Sequence, residues 1–421
     1  MKKIVTLTAL GLILATANAN AAGFHLREQS GAGLGNAFAG ATAGAEDISY
    51  AYFNVAGLTR HKGTQMNLGA TYIAPEARAR KIDGDNGSEE NVDNIVHAAV
   101  APNMAFSHQL NDEVTLGLGV NVPFGMVTKY DDRNWAGADH GVTSKVTTVT
   151  TTPMVAWKAT DKLSIGAGLS IQYFKAKLSQ RTTHKQLGDL GYTKLEGDTV
   201  DVGYQIGAMY EFNENTRIGI NYRSEINHKL KGEIENRDSK TNPRAVAGGA
   251  TALLNQDISA RIDTPAMLSV GAFHKINDKW EVMAEYQKVF WNSFDSIDIY
   301  GEKHKNPSNS TYLISSTPEH WEDTDFYAIG ASYNVDDKWK LRFGLAYDDS
   351  AVRKDYRTPR IPDSRRVWYS TGASYKYSDN LTVNAAYTFI KAEEAEINLK
   401  GVSADYKNQV HIFGLSMNYS F

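Results

Sequence analysis

The chain has 421 residues, with 44 basic and 48 acidic side chains, a formal net charge of −4, and no cysteine. The mild acidity argues against a nucleic-acid partner. The lack of thiols excludes a disulfide framework, a thiolate metal site and a thiol redox centre. Beyond the leader no apolar run approaches the roughly 20 residues of a membrane helix. Yet 22 Tyr, 15 Phe, 7 Trp and 35 Gly make the composition of a transmembrane β-barrel.

Residues 1–21 read as a secretory signal peptide. Lys2 and Lys3 form a positive start, Ile4 to Ala17 an apolar core, and Ala19-Asn20-Ala21 a cleavage site. Removal leaves 42 basic against 48 acidic residues, a charge of −6. Export without cysteine suits a bacterial envelope protein.

Residues 22–62 follow. Between Gly31 and Ala45, eleven of fifteen residues are Gly or Ala. Such a segment has little side chain to bury and loses much backbone entropy if it orders alone. Phe24, Leu34, Phe38, Ile48, Tyr50, Tyr52 and Phe53 punctuate it, so it is no free linker either. A compact insert packed inside a larger structure is expected. The glycines at 31, 33 and 35 do not make a dinucleotide fingerprint, because Asn36 stands where the next glycine belongs and no βαβ unit follows. A phosphate loop fails as well, since Ala41 replaces its lysine.

From residue 63 to residue 421 one pattern recurs. Short polar turns lie at Asn111-Asp112-Glu113, Thr160-Asp161-Lys162, Asn213-Glu214-Asn215, Asn277-Asp278-Lys279, Asp336-Asp337-Lys338 and Ser378-Asp379-Asn380. Longer polar stretches, near 76–94, 124–144, 180–198, 230–258, 301–322, 349–365 and 392–406, alternate with them. Six turns and seven loops imply fourteen strands, with both chain ends on the periplasmic side. Within the strands apolar and polar residues alternate. Trp339, Leu341, Phe343, Leu345 and Tyr347 oppose Lys340, Arg342, Gly344, Ala346 and Asp348, which separates a lipid face from a wet lumen. The same period runs through Leu163 to Gln172, Leu381 to Phe389 and Phe413 to Phe421. Trp280, Trp339 and Tyr377 beside short turns form an interfacial belt. The terminal Phe421 is the type of signal that the outer-membrane assembly machinery reads. The expected fold is therefore all-β: a 14-stranded antiparallel transmembrane barrel with the amino-terminal segment as a hatch in the lumen. Fourteen strands enclose more space than wall side chains fill.

Catalytic signatures are weak. There is no G-x-S-x-G element and no short His/Ser/Asp cluster, so an enzyme is not expected. The histidines are scattered, and neither a metal nor a cofactor is expected. Acidic pairs such as Asp131-Asp132 and Glu393-Glu394 read as solvated, with cation bridging to surface lipopolysaccharide as the second reading. Ala245 to Leu254, which includes Leu253, and Val122 to Val127, which includes Phe124 and Met126, are apolar stretches in or beside outer loops. Both are candidates for ligand capture. Lys340, Arg342, Arg217, Arg223, Glu281 and Glu285 are expected to face the lumen, where a cation could hold an anionic head group.

Gly23-Phe24-His25-Leu26-Arg27-Glu28-Gln29-Ser30, Gly33-Leu34-Gly35-Asn36-Ala37-Phe38-Ala39-Gly40, Ala45-Glu46-Asp47 and Asn54-Val55-Ala56-Gly57-Leu58 resemble the start of the FadL-type outer-membrane transporters. So do Phe124-Gly125 with Lys129-Tyr130, Asp161 to Gly168, Trp291 to Asp295 and Thr358 to Ser364. The resemblance covers essentially the whole mature chain. It implies passive uptake of long-chain fatty acids or, in relatives, aromatic hydrocarbons. Capture in outer loops would pass the ligand to an inner pocket reached by Phe24. A hatch movement involving Gly33, Gly35, Asn54, Val55 and Ala56 would then release it sideways, past a kinked third strand. Lys175 and Lys177 match the family's basic pocket positions and, with Arg217 and Arg342, are the carboxylate-binding candidates. The family's hatch commonly carries proline where Val55 stands, so a looser turn is expected there. The other readings are a general diffusion porin and a surface adhesin or phage receptor. A monomer in contact with outer-membrane lipid and lipopolysaccharide is expected.

Overall fold

The computed structural model describes residues 23–84, 89–184, 188–236, 256–301 and 312–421. The expected signal peptide and the stretch with Ala245, Leu253 and Leu254 lie outside these residues.

Fourteen antiparallel strands close into a ring. They are β1 (Thr64–Gly84), β2 (Ala99–Gln109), β3 (Val114–Asn121 and Gly125–Lys129), β4 (Thr143–Lys158), β5 (Leu163–His184), β6 (Gly188–Asn213) and β7 (Thr216–Arg223 and Ile226–Asn236). Then come β8 (Gln256–Thr264 and Met267–Lys275), β9 (Trp280–Val289, extended by Ser296–Gly301), β10 (Tyr312–Pro318 and Thr324–Asn334), β11 (Trp339–Asp348), β12 (Arg366–Lys376), β13 (Leu381–Ala392, extended by Ala395–Leu399) and β14 (Val402–Ser420). Each strand pairs with its neighbour in sequence, and β1 pairs with β14 from Gln65↔Ser420 to Gly84↔Val402. Closure leaves no strand edge to be satisfied in lipid.

The strands form where period two predicts them. Phe343, Leu345 and Tyr347 point outward and are exposed, whereas Arg342 and Asp348 point inward and are buried. All six short turns are closed by one device: the first side chain accepts hydrogen bonds from two later backbone N–H groups. Asn111 Oδ1 does so for Glu113 at 2.9 Å and Val114 at 2.8 Å, and Asp336 Oδ1 does so for Lys338 and Trp339 at 2.8 Å each. The stretch 180–198, read as a loop, is largely the far end of the β5–β6 hairpin. Above the membrane neither strand face meets lipid, so the apolar alternation fades while backbone pairing continues.

The amino-terminal segment fills the lumen. It contains α1 (Gly31–Leu34), α2 (Ala41–Gly44) and two 3-10 turns, Ile48–Tyr52 and Val55–Arg60. Leu34, Phe38, Ile48, Val55 and Leu58 are all buried against the wall. The wall makes room for it with glycine. A Cβ on Gly344 would stand 2.1 Å from the carbonyl carbon of Asn36, and one on Gly166 would stand 2.5 Å from the Ala56 nitrogen. Gly35 touches Gly372 of β12 in the same way. Ala37, Phe38 and Ala45 hold left-handed backbone conformations, which side chains adopt only under packing constraint.

Candidate functional site

Three features meet inside the barrel: an ionic anchor under the hatch, an aromatic pocket at the amino terminus, and an apolar groove toward the outer side.

The anchor comes first. Arg342 of β11, only 1% exposed, bonds Glu46 at 2.5 Å through Nη2. Lys340 reaches Glu46 at 3.1 Å and Glu281 at 3.0 Å. Burial alone would raise the Glu46 carboxyl; the charges of Arg342 and Lys340 more than reverse this and hold it well below the usual carboxylate range. Arg217 of β7 donates to the Ala43 carbonyl at 2.6 Å and also to that of Gly44, so it caps the end of α2. Its guanidinium lies over the Phe273 ring. Arg223 holds the Tyr52 carbonyl at 2.7 Å. Glu285 accepts from the Thr42 backbone at 3.1 Å and from its hydroxyl. The expected lumenal charges do face inward. They bind the hatch, however, and Arg217 and Arg342 are hatch anchors in this structure.

The turn at Val55 is not loose. Asn54 accepts from the Ala56 N–H at 3.0 Å and donates to the Thr42 and Ala208 carbonyls at 2.8 and 3.0 Å. Val55 occupies the first position of its turn, where a proline would have removed only an N–H that needs no helical partner. Gly33 donates its N–H to Ser30 Oγ at 3.1 Å, which starts α1.

Glu28 is the one hatch carboxylate held without a strong partner. Its Oε2 is buried and makes no hydrogen bond among the described residues, and burial pushes its pKa up to about 7. It therefore favours seating fully below about pH 4.5 and loses that contribution as pH rises through about 7. Glu28→Gln is expected to strengthen hatch seating at pH 8 by on the order of 2 kcal/mol and to change nothing at pH 4. Limited proteolysis of the amino-terminal segment at both pH values reads this directly.

Phe24 lies at the centre of the aromatic pocket and is 1% exposed. Its ring is 4.9 Å from Trp291, 5.7 Å from Trp321, and 5.8 Å from both Phe124 and Phe294. Gly23 N donates to Asp363 at 3.0 Å. Arg366 bridges Asp363 at 2.8 Å and Asp348 at 3.4 Å. The backbone beside Phe24 is sewn to a break in β3. Gly125 N donates to the Phe24 carbonyl at 2.9 Å and Leu26 N to that of Pro123 at 2.8 Å. Gln29 grips the Val122 carbonyl at 2.7 Å and its N–H at 3.1 Å. Pro123 cannot donate to a ladder, so β3 divides there. The β2–β3 ladder runs from Gln109↔Thr115 to Met104↔Val120 and goes no further. Phe124 and Met126, expected to capture ligand in an outer loop, are instead 2% exposed and belong to the pocket interior. They alternate poorly because they sit at the break, and this made a buried strand resemble a loop.

The groove lies above this pocket, on the inner faces of β5 to β9. Its floor is a row of small residues in cross-strand register, Ala176↔Gly197 and Gly197's neighbour Gly232. Leu178 and Leu195 flank the row on one side; Leu230, Ala260 and Ile299 flank it on the other. It is open to solvent along part of its length, and its empty space, open solvent included, is about 380 Å³. At its inner end His228 is fully buried, stacked on Phe174 at 4.6 Å and bonded to Gln172 at 2.8 Å. At its outer end Arg360, from the loop between β11 and β12, donates to Ser144 Oγ at 3.0 Å and to the Ser179 carbonyl at 3.3 Å, next to Leu178. Burial lowers its pKa to about 10, which leaves it cationic at neutral pH.

Lys175 and Lys177 are not in this groove. They share strand parity with Ile165, Leu169 and Ile171, which are exposed on the outer wall, while Phe174 and Ala176 between them face inward. Lys175 pairs with Glu196 on the outer surface at 2.6 Å. The pleat decides this: successive side chains must alternate faces. Arg360 was missed because its register is set by a loop, which has no periodicity to read.

Comparison with known proteins agrees with this architecture. The family profile described as "Outer membrane protein transport protein (OMPP1/FadL/TodX)" matches residues 12–421. Outer membrane protein P1 of Haemophilus influenzae is 31% identical over 480 residues, covering 100% of both chains. The long-chain fatty acid transport protein of Escherichia coli is 27% identical over 464 residues, covering 100% of this chain and 99% of the relative. The crystal structure of a Pseudomonas aeruginosa FadL homologue superposes with a TM-score of 0.84 at 26% identity, covering 95% of this chain and 100% of that one. The Pseudomonas putida toluene transporter TodX shares the fold, with a TM-score of 0.68 at 18% identity, covering 94% and 99%. The chain belongs to the OMPP1/FadL/TodX family, outer-membrane β-barrels that transport hydrophobic small molecules.

Proposed function

We propose that the protein takes up long-chain fatty acids by passive transfer along the groove, the aromatic pocket and the break in β3. The observation that carries this reading is the shape of the groove. Its small-residue floor and aliphatic rims cross five strands, about 20 Å at the usual strand spacing. That suits an extended acyl chain and exceeds a single aromatic ring several-fold. A palmitoyl-length tail exposes about fifteen methylenes, or about 12 kcal/mol against water, so it needs apolar surfaces in sequence and not an aqueous pore. Arg360 is assigned to the carboxylate at the groove's outer end. Phe24 fills the next pocket and must leave for the chain to advance, which breaks the backbone bonds that tie Phe24 and Leu26 to the β3 break. The discontinuity beside β3 is assigned as the lateral exit. In this reading residues 1–21 are removed on export, 22–62 form the hatch and 63–421 the barrel. The protein works as a monomer assembled through its Phe421 signal.

Aromatic hydrocarbon uptake is the second reading, and the cage of rings around Phe24 favours it. Binding of labelled oleate, oleyl alcohol and toluene to the purified barrel separates the two. Oleate is expected to bind most tightly, and Arg360→Met to weaken oleate about tenfold while sparing oleyl alcohol. Toluene binding tighter than oleate would give the second reading preference, and equal loss of acid and alcohol would remove Arg360 from its role.

A further inference from the structure

The lysines displaced from the pocket form a surface of their own. On β5 the outward row runs Ile165, Leu169, Ile171, Tyr173, Lys175, Lys177. Apolar lipid-facing residues give way to one tyrosine and then to two cations. On β6 the corresponding row runs from the exposed Tyr204, Val202 and Val200 through Asp198 and Glu196 to Lys194. On β4, Lys145 stands directly opposite Lys177. At about 3.3 Å per residue, Lys175 is about 13 Å along the strand past Ile171, beyond the end of the exposed apolar row.

The charges within this patch do not cancel. Lys175 and Lys194 both hold Glu196, each at 2.6 Å. Asp198 lies opposite Lys175 and, on its other side, opposite Lys231 of β7. Four lysines on β4 to β6 thus meet two carboxylates. The surplus falls on Lys145 and Lys177, which are directly opposed cross-strand partners. Like charges so placed repel and destabilise the sheet. Such a pair persists most readily where an anion lies between its members. Farther round, the outward residues of β7 and β8 mix both signs, with Lys229, Lys231 and Arg261 beside Glu233 and Asp257, whereas on β4–β6 the lysines outnumber the acids.

We propose that Lys145, Lys175 and Lys177 form an external binding site for the phosphate groups of lipopolysaccharide, seated on the barrel wall just above its lipid-facing belt. The acyl chains of such a glycolipid would lie along Ile165, Leu169, Ile171, Val200 and Val202, and its phosphates would bridge Lys145 and Lys177. This site is separate from the groove, because its side chains stand on the opposite face of the same strands.

Native mass spectrometry of the folded, detergent-solubilised barrel tests the site with added bisphosphorylated lipid A, with dephosphorylated lipid A and with inorganic phosphate. The wild type is expected to retain bisphosphorylated lipid A at least tenfold more strongly than Lys145→Gln/Lys175→Gln/Lys177→Gln. The two proteins should hold dephosphorylated lipid A alike, and inorganic phosphate should compete only weakly. The matching triple Arg variant should retain binding. Oleate binding should be unchanged in every variant, which separates this proposal from the transport reading. Equal retention of bisphosphorylated lipid A by wild type and triple Gln variant overturns the site, as does an equal loss with the dephosphorylated form. If the triple variant does not assemble, Lys177→Glu alone carries the same comparison, with about threefold weaker binding expected.

Discussion

Arg342→Met is expected to unseat the hatch and turn a closed barrel into a conducting one. The substitution keeps the apolar stem but leaves Glu46 in the lumen with Lys340 as its one remaining cation. Breaking a buried charge pair from one side costs about 3 kcal/mol or more, because the surviving charge keeps its desolvation penalty. Planar-bilayer recording should show little current through the wild type and frequent open events through the variant. Glu46→Gln/Arg342→Met removes both charges and should restore much of the closure. If Arg342→Met conducts no more than the wild type and its amino-terminal segment resists protease equally, the anchor does not hold the hatch. The same recording bears on the porin reading, since a general diffusion porin conducts without any substitution.

Ala176→Trp is expected to block the groove. Ala176 is part of the small-residue floor, and its buried side chain lines the groove. An indole there displaces about four methylenes of a bound chain, about 3 kcal/mol at 0.8 kcal/mol each, and so roughly a hundredfold in affinity. Oleate uptake by cells carrying this variant should fall accordingly, and Ala176→Leu should fall in between. Toluene, which fits the ring cage at Phe24, should be affected far less. The heat-modifiable gel mobility of the barrel confirms folding for both variants. Unchanged oleate uptake with a folded Ala176→Trp barrel would show that the acyl chain takes another path.

Much of this architecture was legible in the residues. The strand count followed from turns and loops, and the six turns carried the side-chain oxygens that close them in the structure. The outward and inward faces of β11 could be read from Trp339 to Asp348. Even the outer placement of Lys175 and Lys177 was available, because they continue the odd-numbered row of Ile165, Leu169 and Ile171. The family resemblance drew them inward, whereas the pleat requires them outside. Phe124 and Met126 were harder, since Pro123 interrupts the alternation on which such assignments depend.

By itself the sequence determined that a two-residue period runs through a closed set of strands and that a Gly/Ala-rich segment precedes them. These are local properties, set by neighbours a few residues apart. The tertiary structure alone decided what the lumenal charges do. Arg342 meets Glu46 across 296 positions of chain, and Arg360 reaches β4 and β5 from a loop 216 and 181 positions away. The groove likewise exists only because three strands bring Ala176, Gly197 and Gly232 into one row. Periodicity reports which face a side chain takes; only closure of the barrel around its hatch determines what stands opposite.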